Sequence, residues 1–332
     1  MREGDFLPID LGYPSHDYRH DRPGYRGTSL QEFMGLFPND GACLAHIFRV
    51  RFGEEPWCPK CKKHAKNWYR IAGTKRFQHP CGYAIHPLAK TVFAHSVISL
   101  QLLFYAMLHV SNSAESINVN TLARHFGVTQ RTAYRILRKI RIHLSALENS
   151  RFIGNPDETV VVRLQTLNRV RTAKGFRNRA RYLLMADQAF VVSFVVGEMR
   201  QSKVRKFLES RRAKGSVLVT DCYDTFKLLS ENGTRRSLAQ MVPTSLSGLA
   251  KPSETITSFV SYFSPPINNQ HKRLDCDKLW LYLNEYQFRF NRRSRSKDIF
   301  AHMVGEFPDI NDEMIKRLRD QNSGAKILRS TP

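Results

Sequence analysis

The hydrophobic period changes after Leu147, and the change divides the chain. From residue 96 to Leu147 apolar residues recur at helical spacing. Start and stop signals split residues 96–147 into Ser99–Ser111, Asn118–Phe126 and Thr129–Leu147. From Glu158 the period becomes two. "TVVVRLQTL", "ARYLLMADQ" and "AFVVSFVVG" are apolar runs rich in β-branched residues, the composition of strands. A helical stretch ("SKVRKFLESRRAK"), a strand ("SVLVTD") and a second helical stretch ("CYDTFKLLS") follow. Three strands, helix, strand, helix is an α/β layer order. Glu231–Gln270 reads as irregular. Asp277–Arg293 predicts a long amphipathic helix, and the basic tail after it is expected to fray.

Charge constrains the partner more than the fold. The 332 residues carry 52 Lys+Arg against 29 Asp+Glu, a formal charge of +23. Cations that neutralise phosphates release condensed counterions, so nucleic acid is the expected partner. The alternative is a merely soluble basic protein. Against it, the basic residues recur in every segment. With 42% hydrophobic residues the chain can bury real cores. The longest apolar run, Val97–Val110, is too short to span a bilayer, and "MREGDFLPIDLG" has no apolar signal-peptide region. No membrane association and a cytoplasmic location are expected. Residues 1–28, rich in Pro, Gly, Asp and Arg, read as a flexible basic arm.

"SLQEFMGLF" and "DGACLAHIFRVRFG" predict two short amphipathic helices ahead of "WCPKCKKH". The six cysteines are too sparse for a disulfide scaffold. A redox Cys-x-x-Cys would open a helix in a βαβ unit, whereas Cys58 and Cys61 precede a hairpin-like stretch with turns at Gly73 and Gly82. A zinc ribbon fits better: two knuckles, each giving two ligands to a tetrahedral ion. The second knuckle falls at "HPCGY", where Gly82 permits the tight turn around Cys81. Gln78 stands where a ribbon normally has its other cysteine. His79 therefore becomes the candidate fourth ligand, with His64 an alternative.

"NVNTLARHFGVTQRTAYRILRKIRIHL" has a helix-turn-helix pattern. Leu122, Ala123 and Phe126 give the first helix an apolar face, Gly127 makes the turn and Thr129 caps the second helix. Ala133, Ile136, Leu137 and Ile140 face inward. Gln130, Arg131, Thr132 and Arg135 face out at the end where a recognition helix meets base edges, while Arg138, Lys139 and Arg141 suit phosphates. The alternative is an ordinary helical hairpin with a solvated basic face.

In this order the parts resemble the insertion-sequence transposases that carry an N-terminal zinc ribbon and a DDE catalytic domain, to which the eukaryotic Merlin elements are related. The resemblance runs from about Ser29 to Phe307. It rests on "ACLAHIFRVRFGEEPWCPKC", "CGYAIHPLAKTVFAHSVISLQLLFYAM", "LARHFGVTQRTAYRILRKIR", "VLVTDCYDTFKLL" and "YLNEYQFRFNRR". It implies a multidomain α+β chain: a flexible arm (1–28), N-terminal helices and zinc ribbon (29–95), a helix-turn-helix domain (96–150), an RNase H-like α/β domain (151–307) and a basic tail (308–332). It also implies a bacterial, nucleoid-associated protein that acts as a homo-oligomer on double-stranded transposon ends.

Such enzymes hold two Mg²⁺ or Mn²⁺ ions between three carboxylates. In the family, one Asp lies on the first strand, one ends the fourth, and the third acid lies on a later helix. Asp221, closing "VLVTD", matches the second. Leu164 and Gln165 fall at the first, and an alternative register puts Asp157 there. Glu254 falls where the family has Asn, and Thr257 where it has the third acid. Asp187 and Asp224 are nearby spares. The expected function is a DNA-binding relative of transposases, catalytically degenerate. The alternatives are an active DDE transposase with non-standard acids or a recruited DNA-binding regulator.

Overall fold

The computed structural model describes residues 27–113, 117–149, 151–171, 177–196, 201–230, 238–243, 250–270, 274–293 and 298–322. The predicted arm, apart from residues 27 and 28, lies outside them. Two helices come first, α1 (Leu30–Leu36) and α2 (Asp40–Phe52). Ser29 and Glu32 close a reciprocal cap on α1, and the Asn39 side chain accepts from the Ala42 amide at the start of α2. Five two-residue strands follow: β1 (Trp57–Cys58) pairs with β2 (Lys63–His64), and β3 (Tyr69–Arg70), β4 (Phe77–Gln78) and β5 (Ala84–Ile85) form a meander. Strands this short bury little on their own. They are held from below, where Phe48 of α2 stacks on Phe77 with ring centroids 4.2 Å apart.

The three predicted helices are present as α3 (Leu100–Asn112), α4 (Val119–Phe126) and α5 (Gln130–Glu148). Gly127 ends α4 in the left-handed conformation, φ 59°, which a glycine adopts without steric penalty. The α/β part starts after α5. Strands β6 (Thr159–Arg171), β7 (Arg177–Ala186) and β8 (Val191–Val195) form an antiparallel meander. Helix α6 (Gln201–Arg211) leads to β9 (Val217–Thr220), and α7 (Tyr223–Leu229) leads to β10 (Gln240–Met241). β9 adds parallel to β6, giving the sheet order β10-β9-β6-β7-β8.

Alternation decides which side chains meet which layer. Val160, Val162 and Leu218 face α6 and α7, in a core with Val204, Leu208 and Leu229. Val161, Tyr182, Leu184 and Val219 face the other way, toward two later helices. These are α8 (Ala250–Gln270) and α9 (Leu279–Phe290). The irregular reading of Glu231–Gln270 is corrected by α8. Pro265 and Pro266 argue against a helix in sequence, but Ile256, Phe259, Phe263 and Ile267 lie at helical spacing and are all buried against the sheet. Tertiary burial overrides the proline penalty.

The chain then returns to its beginning. α10 (Asp298–Val304) packs on α3, and Phe300, Met303 and Phe307 join the core of the N-terminal helices. Residues 298–307, grouped from sequence with the α/β domain, thus complete the N-terminal core. Part of the tail expected to fray is α11 (Asp312–Asn322), whose Leu318 is buried beside α5 and β8.

Two buried histidines hold α10. His46 Nε2 and His143 Nε2 each lie 2.8 Å from a carbonyl of its last turn, Val304 and Met303. Burial depresses both rings, His143 to about 4 against the hydrogen bond that would raise it. A depressed histidine stays neutral in the fold while the unfolded chain takes up a proton near pH 6.5. Stability is therefore expected to fall as pH drops through 6.5 and to level off below about 4, by about 3 kcal/mol for His143 alone. Urea unfolding at pH 7.5 and 5, repeated on His143→Gln, checks this: the variant should lose its part of the pH dependence.

Candidate functional site

Cys58, Cys61, His79 and Cys81 converge, with their ligand atoms all within 4.8 Å of one another. Each knuckle is built by a backbone turn. The Lys62 amide donates to the Cys58 carbonyl at 2.8 Å with Lys62 at φ 52°, and the Gly82 amide donates to the His79 carbonyl at 2.9 Å with Gly82 at φ 87°. Cys58 Sγ lies 3.5 Å from Cys81 Sγ, and His79 Nδ1 lies 3.1 Å from Cys81 Sγ and 3.6 Å from Cys61 Sγ. Tetrahedral ligands on zinc stand roughly 3.6–3.8 Å apart, so this three-sulfur, one-nitrogen set suits a metal such as zinc. His64 is not part of it; its Nδ1 faces the Glu55 carbonyl at 2.7 Å.

The electrostatics favour thiolate. Desolvation works to raise the Cys81 thiol, but hydrogen bonds from the Tyr83 backbone, His79 and the other two cysteines outweigh it and bring it down to about 6. Cys61, hydrogen-bonded to Cys81 and partly desolvated, is pushed up to about 11. Trp68 packs on His79 at 5.3 Å, and Lys60 Nζ reaches the Cys81 carbonyl at 2.6 Å.

At the head of α5 the residues predicted to meet DNA are solvent-facing. Gln130, Arg131, Arg135 and Arg138 are exposed, and Thr132 is half-buried beside the Thr129 cap. Lys139 is tied instead to the Ala94 carbonyl at 3.3 Å, and burial lowers it. Arg141 turns fully inward to Glu285 at 2.6 Å, so the phosphate role given to it from sequence is corrected. A cleft of about 450 Å³ opens at the α4–α5 turn, lined by Asn120, Arg124 and Gln130.

The acid positions do not assemble. Val161 pairs with Val219 in parallel register, so two residues on Arg163 stands beside Asp221. Arg163 grips Asp221 with both ends of its guanidinium, Nε to Oδ1 at 2.8 Å and the second nitrogen to Oδ2. That pair holds the Asp221 carboxyl below its usual range. Leu164 faces the opposite layer, its amide donating to Thr225 Oγ1 at 2.8 Å. Asp157 is level with Gly215 at the strand's entry, its amide 3.3 Å from the Gly215 carbonyl. Asp221 lies six positions beyond Gly215, past the whole length of β9 (Val217–Thr220), at most about 20 Å of extended chain. Glu254 and Thr257 are exposed on α8, and neighbouring Thr255 bonds the Gln188 carbonyl, also at the entry end. Asp187 shapes the β7–β8 turn by accepting from the Ala189 and Phe190 amides, and Asp224 is exposed in the first turn of α7. Among the described residues, the Cys/His set is the one group of three or more such side chains placed to share a metal.

Residues 149–291, from the end of α5 to the end of α9, match the family model of the ISXO2-like transposase domain. The chain carries an insertion-sequence transposase domain. No curated protein matches the chain. No helix among the described residues is long and apolar enough to cross a membrane.

Sequence reasoning missed Arg163. The signal was present: a lone arginine inside "VVVRLQ", two residues beyond the strand's parallel partner of Val219. The metal set makes its own test. Cys81→Ser is expected to drop the bound metal from about one per chain to near zero by elemental analysis. It should also expose Trp68, read as a red shift of tryptophan emission.

Proposed function

We propose that this chain is a DNA-binding protein of the insertion-sequence transposase family whose α/β domain no longer performs two-metal phosphoryl transfer. The ribbon is a structural zinc site, with Cys58, Cys61, His79 and Cys81 as ligands. Such an ion supplies folding energy to a unit with almost no core, and takes no part in a reaction. The α4–α5 unit is the helix-turn-helix, and its exposed Gln130, Arg131 and Arg135 read duplex DNA, transposon ends in the parent family. Between Pro56 and Leu147 the sequence has a single acid, Glu115, so the ribbon and the helices form one basic segment. The domain acts as a homo-oligomer on DNA, as the family resemblance implies.

The Arg163–Asp221 pair carries the reading on activity. Asp221 closes the fourth strand of an α/β sheet, in keeping with an RNase H-like fold. Two divalent ions about 4 Å apart need carboxylate charge around them. Here a guanidinium, fully charged at any physiological pH, takes the neighbouring strand position. The donor set does not fit Mg²⁺ or Mn²⁺. An active enzyme using Asp157 and Glu254 finds no support in their placement at the far end of the strand.

Two outcomes follow. Arg131→Ala with Arg135→Ala should weaken binding to a preferred duplex by about 1–3 kcal/mol per lost base contact, and binding to random duplex by less. Equal loss on all duplexes would remove the recognition-helix assignment. With Mg²⁺ or Mn²⁺ and end-bearing substrate, the protein should neither cleave nor join strands. Cleavage lost in Asp221→Ala would restore an active transposase.

A further inference from the structure

Residues 94–98, between the ribbon and α3, are gripped from two sides. They leave the buried Thr91 and Phe93 and lead to the Ser99 cap of α3. Three of their carbonyls are taken by two lysines from different elements. Lys75, just ahead of β4, donates to the Ser96 carbonyl at 2.9 Å and reaches that of Ile98 at 3.5 Å. Lys139 of α5 donates to the Ala94 carbonyl at 3.3 Å. The two ammonium groups repel one another across the loop. Between them the backbone turns through His95, which is exposed and stands at φ 55°, in the left-handed region that favours glycine. Val97 is 100% exposed. A lone exposed valine needs no explanation. A valine held out by two half-buried lysines and a strained backbone does, since a plain connector requires neither cost.

We infer that residues 94–97 are a wing of α5, resting on the sugar–phosphate backbone of the duplex whose groove α5 enters. Residues four apart on a helix lie one above the other, so Arg131, Arg135 and Lys139 form one stripe, and the loop sits at the end of it. Lys139 stands nine residues beyond Gln130, roughly 14 Å along the axis. The major groove is about 8.5 Å deep. With the head of α5 at base edges, the loop therefore lies outside the groove, level with the rim where the backbone runs. The sign of the surface fits. Neither the strands of the ribbon nor the loop carries an acid. Arg76, next to Lys75, and Arg138, next to Lys139, are exposed. Asp40, at the start of α2, is engaged by Ser99 Oγ at 2.6 Å and by the Gln101 amide at 3.0 Å. Val97 supplies an apolar contact for a deoxyribose. Contacts of this kind carry no sequence information; they set register and orientation, here the depth and angle at which α5 enters.

This inference rests on the reading of α5 as a DNA-contacting helix, and one experiment separates the two. The full chain is titrated with a duplex of about 25 base pairs by fluorescence anisotropy across a salt series. Val97 touches nothing in the fold that its exposure would show, so changing it should leave the unfolding midpoint at the parent's value. Val97→Glu sets an anion against the backbone and should weaken binding by about tenfold at 0.15 M salt. Val97→Lys should tighten it and steepen the slope of log K against log salt by about 0.9, one added phosphate contact. Tyr223→Glu is the control for net charge. Tyr223 is 65% exposed on α7, across the sheet from α9, and its change should alter binding far less than Val97→Glu does. Val97→Glu and Tyr223→Glu with equal affinities overturn the wing. If Arg131→Ala with Arg135→Ala still weakens binding in that case, α5 stands without it. If the arginine pair is neutral and the Val97 changes are not, the recognition helix falls and the loop contact stands. A parent chain that binds no duplex removes both.

Discussion

A buried carboxylate joins the parts of this molecule. Glu148 is the last residue of α5 and is 1% exposed. Burial works to raise it, and Arg292 and Arg151 outweigh that, so it stays ionised. Its oxygens take Arg292 at 2.5 Å, Arg151 at 3.1 Å and the Gln287 and Asn291 amides at 3.2 Å. Arg211, at the end of α6, bonds the Glu148 carbonyl at 3.1 Å. The end of α5, the end of α9, the end of α6 and the entry to the sheet thus meet on one residue. An ionised group at this depth is tolerated only when its oxygens are satisfied. Removing Arg292 or Arg151 strips this buried carboxylate of part of its compensation, so the elements that bring them there support one another.

The consequence is mechanical. α5 is one helix of 19 residues, roughly 28 Å long. Its first turn presents Arg131 to solvent, its middle carries Arg141 against Glu285 and the Tyr282 ring, and its last turn ends in Glu148. With both its second half and its end clamped, α5 has no hinge between the basic head and the transposase domain. The returning α10 closes the other side through His46 and His143. The exposed first turn of α5 is therefore fixed relative to the sheet.

Much of this was legible from periodicity. The three helices of residues 99–148 and the order of strands after Glu158 follow from spacing alone, because their apolar residues repeat without interruption. The four metal-binding candidates were legible because local turns impose their spacing; His79 fills the place of an absent cysteine since Nδ1 reaches what Sγ would. Contacts between distant segments were not legible. α8 hides behind two prolines and is held by sheet contacts that have no local signal. The return of residues 298–307 to the N-terminal core depends on histidines more than 150 residues away. Arg163 was hidden for the same reason: its meaning lies in the strand beside it.

That pairing also settles the charge at this edge of the sheet. Carboxylates gathered to hold two cations repel one another whenever the cations are absent, and a fold bears that strain for the sake of its reaction. An arginine beside an aspartate gives the opposite sign. Asp221 then gains a two-pronged ion pair, only partly exposed, at the junction of β6 and β9. The ion pair ties the end of β9 to β6 and so stabilises the sheet at this edge. The apolar faces of β6 at Val161 and Leu167 pack against α8 and α9 whichever charge stands between them.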